Sequence, residues 1–195
     1  MRRLLDGEKL DFEGEYYTTD RAKLYSPPIG RVPIWMAAGG PKSAALAARL
    51  ADGIITSVKV PEVTVERVID PSTAAAQAAG RDKPPIMASR WSIRADNPAD
   101  AWKALSAWRG LRAPGRLEAV DPAVLRERAD SMDQAEILAQ YSLVSSAEDY
   151  VAVYSPLVTD IQADIVTIQT TGLNQEETIA MLGSDVLPEL RSLAD

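Results

Sequence analysis

The feature that most constrains the fold of this chain is a steady alternation of short apolar segments with helical segments. The apolar segments lie at 33–38, 54–57, 85–95 and 164–169, and their length and β-branched content predict strands. Strands that alternate with helices predict a parallel sheet with right-handed crossovers, so we predict an α/β fold. Four such units fit a small doubly wound domain or half of an eight-stranded barrel. The 195 residues are too few for a complete barrel, which typically needs about 250.

The helical segments carry recognisable start and stop signals. Pro61 and Gly80 bracket a predicted helix over 61–79. Ser146 and Asn174 precede acidic residues and are predicted to begin two further helices. Between the third and fourth strands, residues 98–139 predict several helices, broken near 113–115 and 121–122. No linker or repeat divides the chain, so we predict one domain over 1–195.

Composition removes several classes of function. The sequence has no cysteine and no histidine, which excludes disulfides, catalytic triads with histidine, and metal sites built on thiolate or imidazole ligands. The formal net charge of −7, without a basic cluster, argues against a nucleic-acid partner. The first residues lack the apolar stretch of a signal peptide, and no apolar run is long enough for a membrane helix. We therefore expect a cytoplasmic protein.

Ligands of parallel α/β folds gather at the carboxyl ends of the strands, and three groups of residues follow strands or lie beyond them. Gly39 and Gly40 would let a ligand approach the backbone, although a tight turn would use the same residues. Thr56 and Lys59 could bind a phosphate, or could form a solvated turn. An arginine-rich segment could be a cationic surface; it contains Arg109, Arg112 and Arg116. No residue stands out as a nucleophile or general base, so chemistry alone predicts part of a ligand site and no catalyst.

Two long segments resemble a known family. Residues 10–57 read LDFEGEYYTTDRAKLYSPPIGRVPIWMAAGGPKSAALAARLADGIITS, and 163–193 read ADIVTIQTTGLNQEETIAMLGSDVLPELRSL. The F-x-G-x-Y-Y hairpin, the VPI…AAGGP strand, the ADG turn and the final LP-x-L helix resemble the luciferase-like flavin and deazaflavin oxidoreductases. Within that family the chain is most similar to F420-dependent glucose-6-phosphate dehydrogenases. The resemblance implies the C-terminal half of a TIM (β/α)8 barrel, with 98–139 as a helical insertion.

The same resemblance implies roles for individual residues. Gly39 and Gly40 match the glycine pair whose backbone lines the deazaflavin, coenzyme F420. Thr56 and Lys59 match residues that hold the sugar phosphate, and Arg116 stands where the family has a second phosphate-binding lysine. A further arginine of the family would fall at about 140–141, where this chain has glutamine and tyrosine, which puts glucose 6-phosphate in doubt.

The family's acid and base residues lie in its N-terminal half, so the resemblance implies no catalytic residue in this chain. Three functions follow as alternatives: part of an F420-dependent oxidoreductase acting on a sugar phosphate or another alcohol, an FMN-dependent monooxygenase or reductase, or a non-catalytic subunit. A half barrel leaves unpaired strand edges and an uncovered face. We therefore expect a homo-oligomer, or an N-terminal half supplied by another chain.

Overall fold

Strands and helices alternate through most of the computed structural model, which describes residues 1–194. The strands are β1 (Leu10–Glu13), β2 (Thr18–Ala22), β3 (Trp35–Ala37), β4 (Gly53–Ser57), β5 (Ile86–Arg94), β6 (Ser142–Val144) and β7 (Ile165–Gly172). The α-helices are α1 (Arg2–Leu5), α2 (Pro41–Leu50), α3 (Pro61–Thr64), α4 (Asp70–Ala78), α5 (Pro98–Ala104), α6 (Pro122–Asp130), α7 (Gln134–Leu138), α8 (Ala147–Thr159), α9 (Gln175–Met181) and α10 (Leu187–Ser192).

Two of the predicted helices contain a π-helical segment. Val65–Ile69 joins α3 to α4, and Leu182–Val186 joins α9 to α10, so both continue without a break in the chain. The predicted helix starts are confirmed. Asn174 caps α9 through its side chain, and Ser146 forms a reciprocal capping box with Asp149 at α8.

The five-stranded sheet is parallel, with β5 at its centre. Residues 87–94 of β5 pair with β7 along one edge. Along the other edge, 86–89 pair with β4 and 92–94 pair with β6, and β3 lies beyond β4. Two strands therefore share one edge of β5 in succession, and they leave residues 90 and 91 between them. We call this gap the split edge.

The prediction of four strands in this sheet was incomplete. The four predicted strands are present as β3, β4, β5 and β7, and the short strand β6 is a fifth. β6 follows the helical insertion, which the structure places over α5 to α7 with a 3-10 turn at Arg109–Arg112. The insertion has its own small core, in which Ile93 of β5 packs with Leu105 and Ile137.

The outer face of the sheet packs against the helices and is buried at its centre. Ile54, Ile86 and Ala88 have no exposed surface, and they pack among side chains of α2, α8 and α10. Tyr154 of α8 is also buried, and its hydroxyl lies 2.7 Å from the carbonyl oxygen of Arg90 and 3.1 Å from the Ser92 Oγ. This layer is the main core of the chain.

The inner face of the sheet carries an apolar row that is partly open. Strand alternation places Ala37, Ile55, Met87 and Ile165 opposite the buried core residues, and backbone pairing aligns these four across β3, β4, β5 and β7. Ala37 and Ile165 are exposed, and Ile55 and Met87 are half-buried. Within residues 1–194, no second layer covers this row.

An N-terminal segment joins the sheet through one carboxylate. β1 and β2 form the antiparallel hairpin that the resemblance predicts. Asp52, just before β4, accepts hydrogen bonds from Arg2 of α1 at 2.6 Å, from Arg31, and from the backbone N–H of Ile34 at 2.8 Å. Asp52 thereby holds α1 and the segment before β3 against the amino-terminal end of the sheet.

Candidate functional site

Two adjoining cavities lie at the carboxyl ends of β3 and β4 and beside the middle of β5. The first, the glycine cavity, has a volume of about 340 Å³. It is lined by Gly39, Thr56, Ser57, Lys59, Val60, Val63, Thr64, Arg67 and Val68. It therefore lies between the ends of two parallel strands and the start of the helix at Pro61, the region where parallel α/β folds bind ligands.

Neither packing nor backbone conformation requires glycine at Gly39, which lines this cavity, or at Gly40, which adjoins it. Neither Gly39 nor Gly40 has a positive φ, so the backbone would accept any residue. A Cβ on Gly39 would meet no heavy atom within 4 Å, and one on Gly40 would lie 3.7 Å from an Arg67 nitrogen. By contrast, Gly53 is required, because its Cβ would lie 2.4 Å from the Trp35 ring. The structure therefore gives no support to the alternative that a tight turn requires glycine at these two positions.

The N-terminus of α2 favours negatively charged groups next to the glycine pair. α2 begins at Pro41 immediately after the pair, with Gly40 at its N-cap position. The first N–H groups of a helix lack intrahelical partners and carry partial positive charge. A phosphate or another anion next to the glycine pair would therefore be stabilised.

The second cavity, the split-edge cleft, occupies the gap between β4 and β6. Its volume is about 260 Å³. It is lined by Ser57, Val58, Lys59, Val60, Arg90, Trp91, Arg112, Ala139, Gln140, Tyr141 and Ser142. Ser57, Lys59 and Val60 line both cavities, so the end of β4 forms the wall between them.

Hydroxyl groups and aromatic rings hold the arginines of the cleft. The Arg90 Nε donates to the Ser142 Oγ at 2.9 Å, and the Arg112 Nε donates to the Tyr141 hydroxyl at 3.1 Å. The Arg112 guanidinium also lies 4.8 Å from the centre of the Tyr141 ring and 5.9 Å from that of Trp91, within cation–π range. Neither cavity has an aspartate or glutamate in its lining, so both favour negatively charged groups.

The structure brings together most of the residues predicted for the site. Gly39, Thr56 and Lys59 line the glycine cavity and Gly40 adjoins it. Arg116 lies apart from them, exposed on the loop after the 3-10 turn and outside the lining of either cavity.

Sequence reasoning did not assign three cations that line the cavities: Arg67, Arg90 and Arg112. Arg112 belongs to the arginine-rich segment, but the sequence does not show which arginine of that segment turns inward. Arg67 lies on a helix and Arg90 on a strand, where alternation predicts only a choice between two faces.

The groups whose pKa is displaced lie outside the two cavities. The Arg2 guanidinium, with help from the Ile34 N–H, lowers the pKa of Asp52 to about 2. Burial raises the pKa of Tyr154 to about 12, so its hydroxyl stays protonated behind the sheet. At the carboxyl ends of β5 and β7, the Arg94 guanidinium lowers the pKa of the Glu177 carboxyl group. Among the described residues, the two cavities thus provide cations and hydroxyls but no carboxylate for acid–base work.

Within residues 1–194, no three acidic side chains come together as a metal site would require. None of the described helices has the length and apolar character needed to cross a membrane.

The family model for luciferase-like monooxygenases matches residues 1–154 of the chain. The chain belongs to this family. Two curated relatives are F420-dependent glucose-6-phosphate dehydrogenases, from Mycolicibacterium gilvum and Mycobacterium leprae, each 32% identical over 199 aligned residues. The alignments cover 99% of this chain but 59% of each relative, so the chain spans about three-fifths of their length.

Solved structures confirm the fold class of this luciferase-like chain. An F420-dependent secondary alcohol dehydrogenase, in complex with an F420–acetone adduct, superposes with a TM-score of 0.74 at 24% identity; the match covers 100% of this chain and 58% of that one. The F420-dependent tetrahydromethanopterin reductase of Methanopyrus kandleri gives 0.68 at 20% identity, over 97% and 60%. The prediction of a parallel α/β sheet that corresponds to part of a (β/α)8 barrel is therefore confirmed.

Proposed function

We propose that this chain forms the C-terminal part of an F420-dependent oxidoreductase that transfers hydride between an alcohol and the deazaflavin. The observation that carries the proposal is the pair Gly39–Gly40. The pair lies at a strand end beside a cationic cavity, although neither packing nor backbone conformation requires glycine there. The names of the relatives, which are F420-dependent dehydrogenases, support this choice of cofactor.

The residues at the glycine cavity fit an anionic cofactor with a flat ring system. The backbone of Gly39 and Gly40, which carries no side chain, would let the cofactor approach closely, and the start of α2 with Arg67 would stabilise its phosphate. When bound, the deazaflavin supplies a carbon that accepts or donates hydride. Lys59, in the wall between the two cavities, would orient the substrate by its anionic end.

Proton transfer to or from the alcohol needs an acid–base pair that these cavities do not contain. The sequence has no histidine, and the linings have no carboxylate. We propose that this pair lies in the remaining part of the barrel, and that the 195-residue chain binds ligands without turnover.

The inner face of the sheet provides the place for that remaining part. The apolar row of Ala37, Ile55, Met87 and Ile165 is partly exposed, and β3 and β7 each have one unpaired edge within the described residues. Exposed apolar surface and open edges favour association. We propose that further barrel strands, or a second copy of the chain, cover this face.

Titration with coenzyme F420, followed by its fluorescence, tests the cofactor assignment. We expect saturable binding, and Gly40→Trp should weaken it at least about tenfold, because the indole would fill the approach to the backbone. Gly183→Trp is the matched control, since Gly183 is exposed and its Cβ would meet nothing within 4 Å. Binding that survives Gly40→Trp, or a folded chain that binds no F420, would contradict the proposal.

The same titration separates the two alternatives. Tighter binding of FMN than of F420 would indicate the flavin-dependent branch of the luciferase-like family. A folded chain that binds neither cofactor, but forms a defined complex with another protein, would indicate a non-catalytic subunit. The absence of an acid–base pair from both cavities is the observation that favours this second alternative.

A further inference from the structure

The inner face of the sheet has the composition of a buried surface. The odd-numbered residues of β3, β4, β5 and β7 share this face, and none of them is charged. Parallel sheets are almost always covered on both faces. Yet Ala37 and Gln169 are exposed here, and Ile165 is 41% exposed. This composition is typical of a face that contacts protein rather than water.

The chain also exposes more surface than a folded monomer of its size. Its accessible surface is 12165 Å², whereas a monomer of 21.1 kDa has roughly 9,000 Å². The excess of about 3,000 Å² is larger than the roughly 1,000–2,500 Å² that each partner buries in an obligate dimer. A stable dimer therefore needs only part of this excess.

Four of the parallel strands correspond to half of an eight-stranded barrel with both edges free. They lie in the order β3, β4, β5 and β7, and within residues 1–194 the outer edges of β3 and β7 are unpaired. The strand ends are also staggered along this order. β3 ends at Ala37, in the row of Ile165, whereas β7 continues for seven residues beyond that row, to Gly172. Such a stagger allows a sheet to close into a barrel.

We propose that a second copy of the chain covers the inner face, so that two copies close one eight-stranded barrel about a two-fold axis. β3 of each copy would then pair in parallel with β7 of the other, because a two-fold axis along the barrel keeps all strands in one direction. The inference deepens the proposed cover of this face. It rests on the fold and not on the cofactor, so either proposal can fail alone.

The apolar rows of two copies would fill the interior of this barrel. Barrels of this class hold layers of four side chains inside the sheet. Each row consists of Ala37, Ile55, Met87 and Ile165, so two rows supply enough side chains for two layers. Because the inner face carries no charge, closing the barrel buries no unpaired ion.

Barrel geometry also fixes the register of the new strand pair. Around the full circle of such a barrel the strands are staggered by about eight residues, so each half contributes about four. A shift of about four residues from the row of Ala37 and Ile165 places Gln169 of one copy beside Ala37 of the other. The opposite shift would place Ala37 beside Ile161, which lies before β7 begins.

Closure would bring the ligand cavities of both copies to one mouth. All eight strands would end there, so both glycine cavities would open at that mouth. Neither copy has a histidine, in agreement with ligand binding without turnover. The dimer is therefore a form of the 195-residue chain by itself, and it uses the face that the remaining part of a relative's barrel would use.

Disulfide trapping tests the proposed barrel. The sequence has no cysteine, so Ala37→Cys combined with Gln169→Cys introduces the only two thiols, both at exposed positions. Within one chain these positions are three strands and about 10 Å or more apart, too far for a disulfide. Between two copies they would lie on neighbouring strands, about 5 Å apart. In a glutathione redox buffer we expect a covalent dimer that dithiothreitol reverses.

Two further pairs of cysteines are the matched controls. Ala37→Cys with Ile165→Cys uses the same two strands but is out of register in the proposed barrel. Leu46→Cys with Gln169→Cys moves one thiol to α2, on the helical side, where Leu46 is 40% exposed. Each control should give at least about tenfold less covalent dimer than the first pair. Circular dichroism checks that the variants fold, and light scattering of the wild-type chain should give twice the mass of one chain.

Several results would overturn the inference. Either control pair could link as well as the first pair, or the wild-type chain could stay monomeric at every concentration or form open chains larger than a dimer. Monomeric chain would then be mixed with the part of the Mycolicibacterium gilvum relative that this chain does not match, and a one-to-one complex would assign the inner face to that part instead. Loss of F420 binding by an intact dimer would contradict the cofactor proposal alone.

Discussion

The two faces of the parallel sheet differ sharply in burial near its centre. On the outer face, Ile54 and Ile86 are completely buried against helices. On the inner face, Ile55 and Met87 are the next residues along the same strands, and they are only half-buried. Consecutive residues of one strand therefore lie in a packed core and on a partly open surface.

Each central strand therefore contributes to the folded core through one face and leaves its other face partly open. The outer face contributes buried apolar side chains to the main core, and this burial stabilises the fold. We propose that further protein or ligands cover the inner face and the carboxyl ends of the strands. Substitutions on the two faces should therefore change different measured quantities.

Ile86→Ala should have the largest effect on stability. Removing a fully buried isoleucine side chain leaves a cavity in the outer core, at a cost of about 3 kcal/mol in the free energy of unfolding. In the dissociated chain, Met87→Ala, one residue along the strand, should cost less than about 1 kcal/mol. Urea unfolding of both variants, at concentrations below those at which the chain associates, measures the contrast. Equal losses in the monomer would contradict the difference between the two faces.

Tyr154→Phe examines a polar group on the outer face. Its hydroxyl contacts the Arg90 carbonyl oxygen and the Ser92 Oγ, so its loss should cost about 1.5 kcal/mol. Thr167→Val is the matched change on the inner face, at a half-buried position, and should change the free energy of unfolding by less than about 0.5 kcal/mol. If Thr167→Val costs as much as Tyr154→Phe, the proposed division between the faces is wrong.

Ile55→Glu examines association through the inner face. We expect the wild-type chain to self-associate at micromolar concentrations, and a buried carboxylate at Ile55 should weaken association about tenfold, or about 1.4 kcal/mol. Leu46→Glu is the control on α2, because Leu46 is 40% exposed on the helical side. Light scattering over a dilution series gives the masses. A wild-type monomer at every concentration would refute self-association.

Asp52→Asn should have the smallest effect, because Asp52 joins the N-terminal segment to the sheet and lies on neither face. Its pKa is lowered from 3.8 to about 2 in the folded chain, so the stabilisation is complete above pH 4 and is lost as the pH falls through 2. After allowance for solvent screening, the variant should lose about 1 kcal/mol at pH 7.

The same variant should show a flatter pH dependence of unfolding between pH 4 and pH 2 than the wild type. Asp20→Asn, in an exposed pair with Arg21, is the control and should leave that dependence unchanged. An unaltered pH profile for Asp52→Asn would mean that the pairs with Arg2 and Arg31 do not stabilise the fold.

Sequence patterns predicted the larger elements of the fold because those elements rely on local signals. Apolar runs, caps and bracketing prolines and glycines are present at β3, β4, β5, β7 and the main helices. β6 was missed because Ser142–Val144 is too short to show alternation. It becomes a strand only because β5 extends beyond β4 and offers a free edge.

The residues of the candidate site could be predicted where they directly follow a predicted strand. Gly39, Thr56 and Lys59 come at strand ends, and parallel strands end on one side of a sheet. Arg90 could not be assigned, because its environment depends on the gap between β4 and β6. Arg112 and Arg116 have the same chemistry, and only the contacts with Tyr141 and Trp91 distinguish them.

The split edge of β5 makes the size of one cavity adjustable without any change to the sheet. β4 and β6 lie along the same edge but do not pair with each other, so the loop after β4 or the loop before β6 can lengthen while the register of the other strand is kept. Residues 58–60 and 139–141 line that gap. Insertions or deletions in these two segments would alter the size of the cleft, while β5 kept its pairing with β7. The fold thus offers a position where specificity can diverge among relatives at little cost in stability.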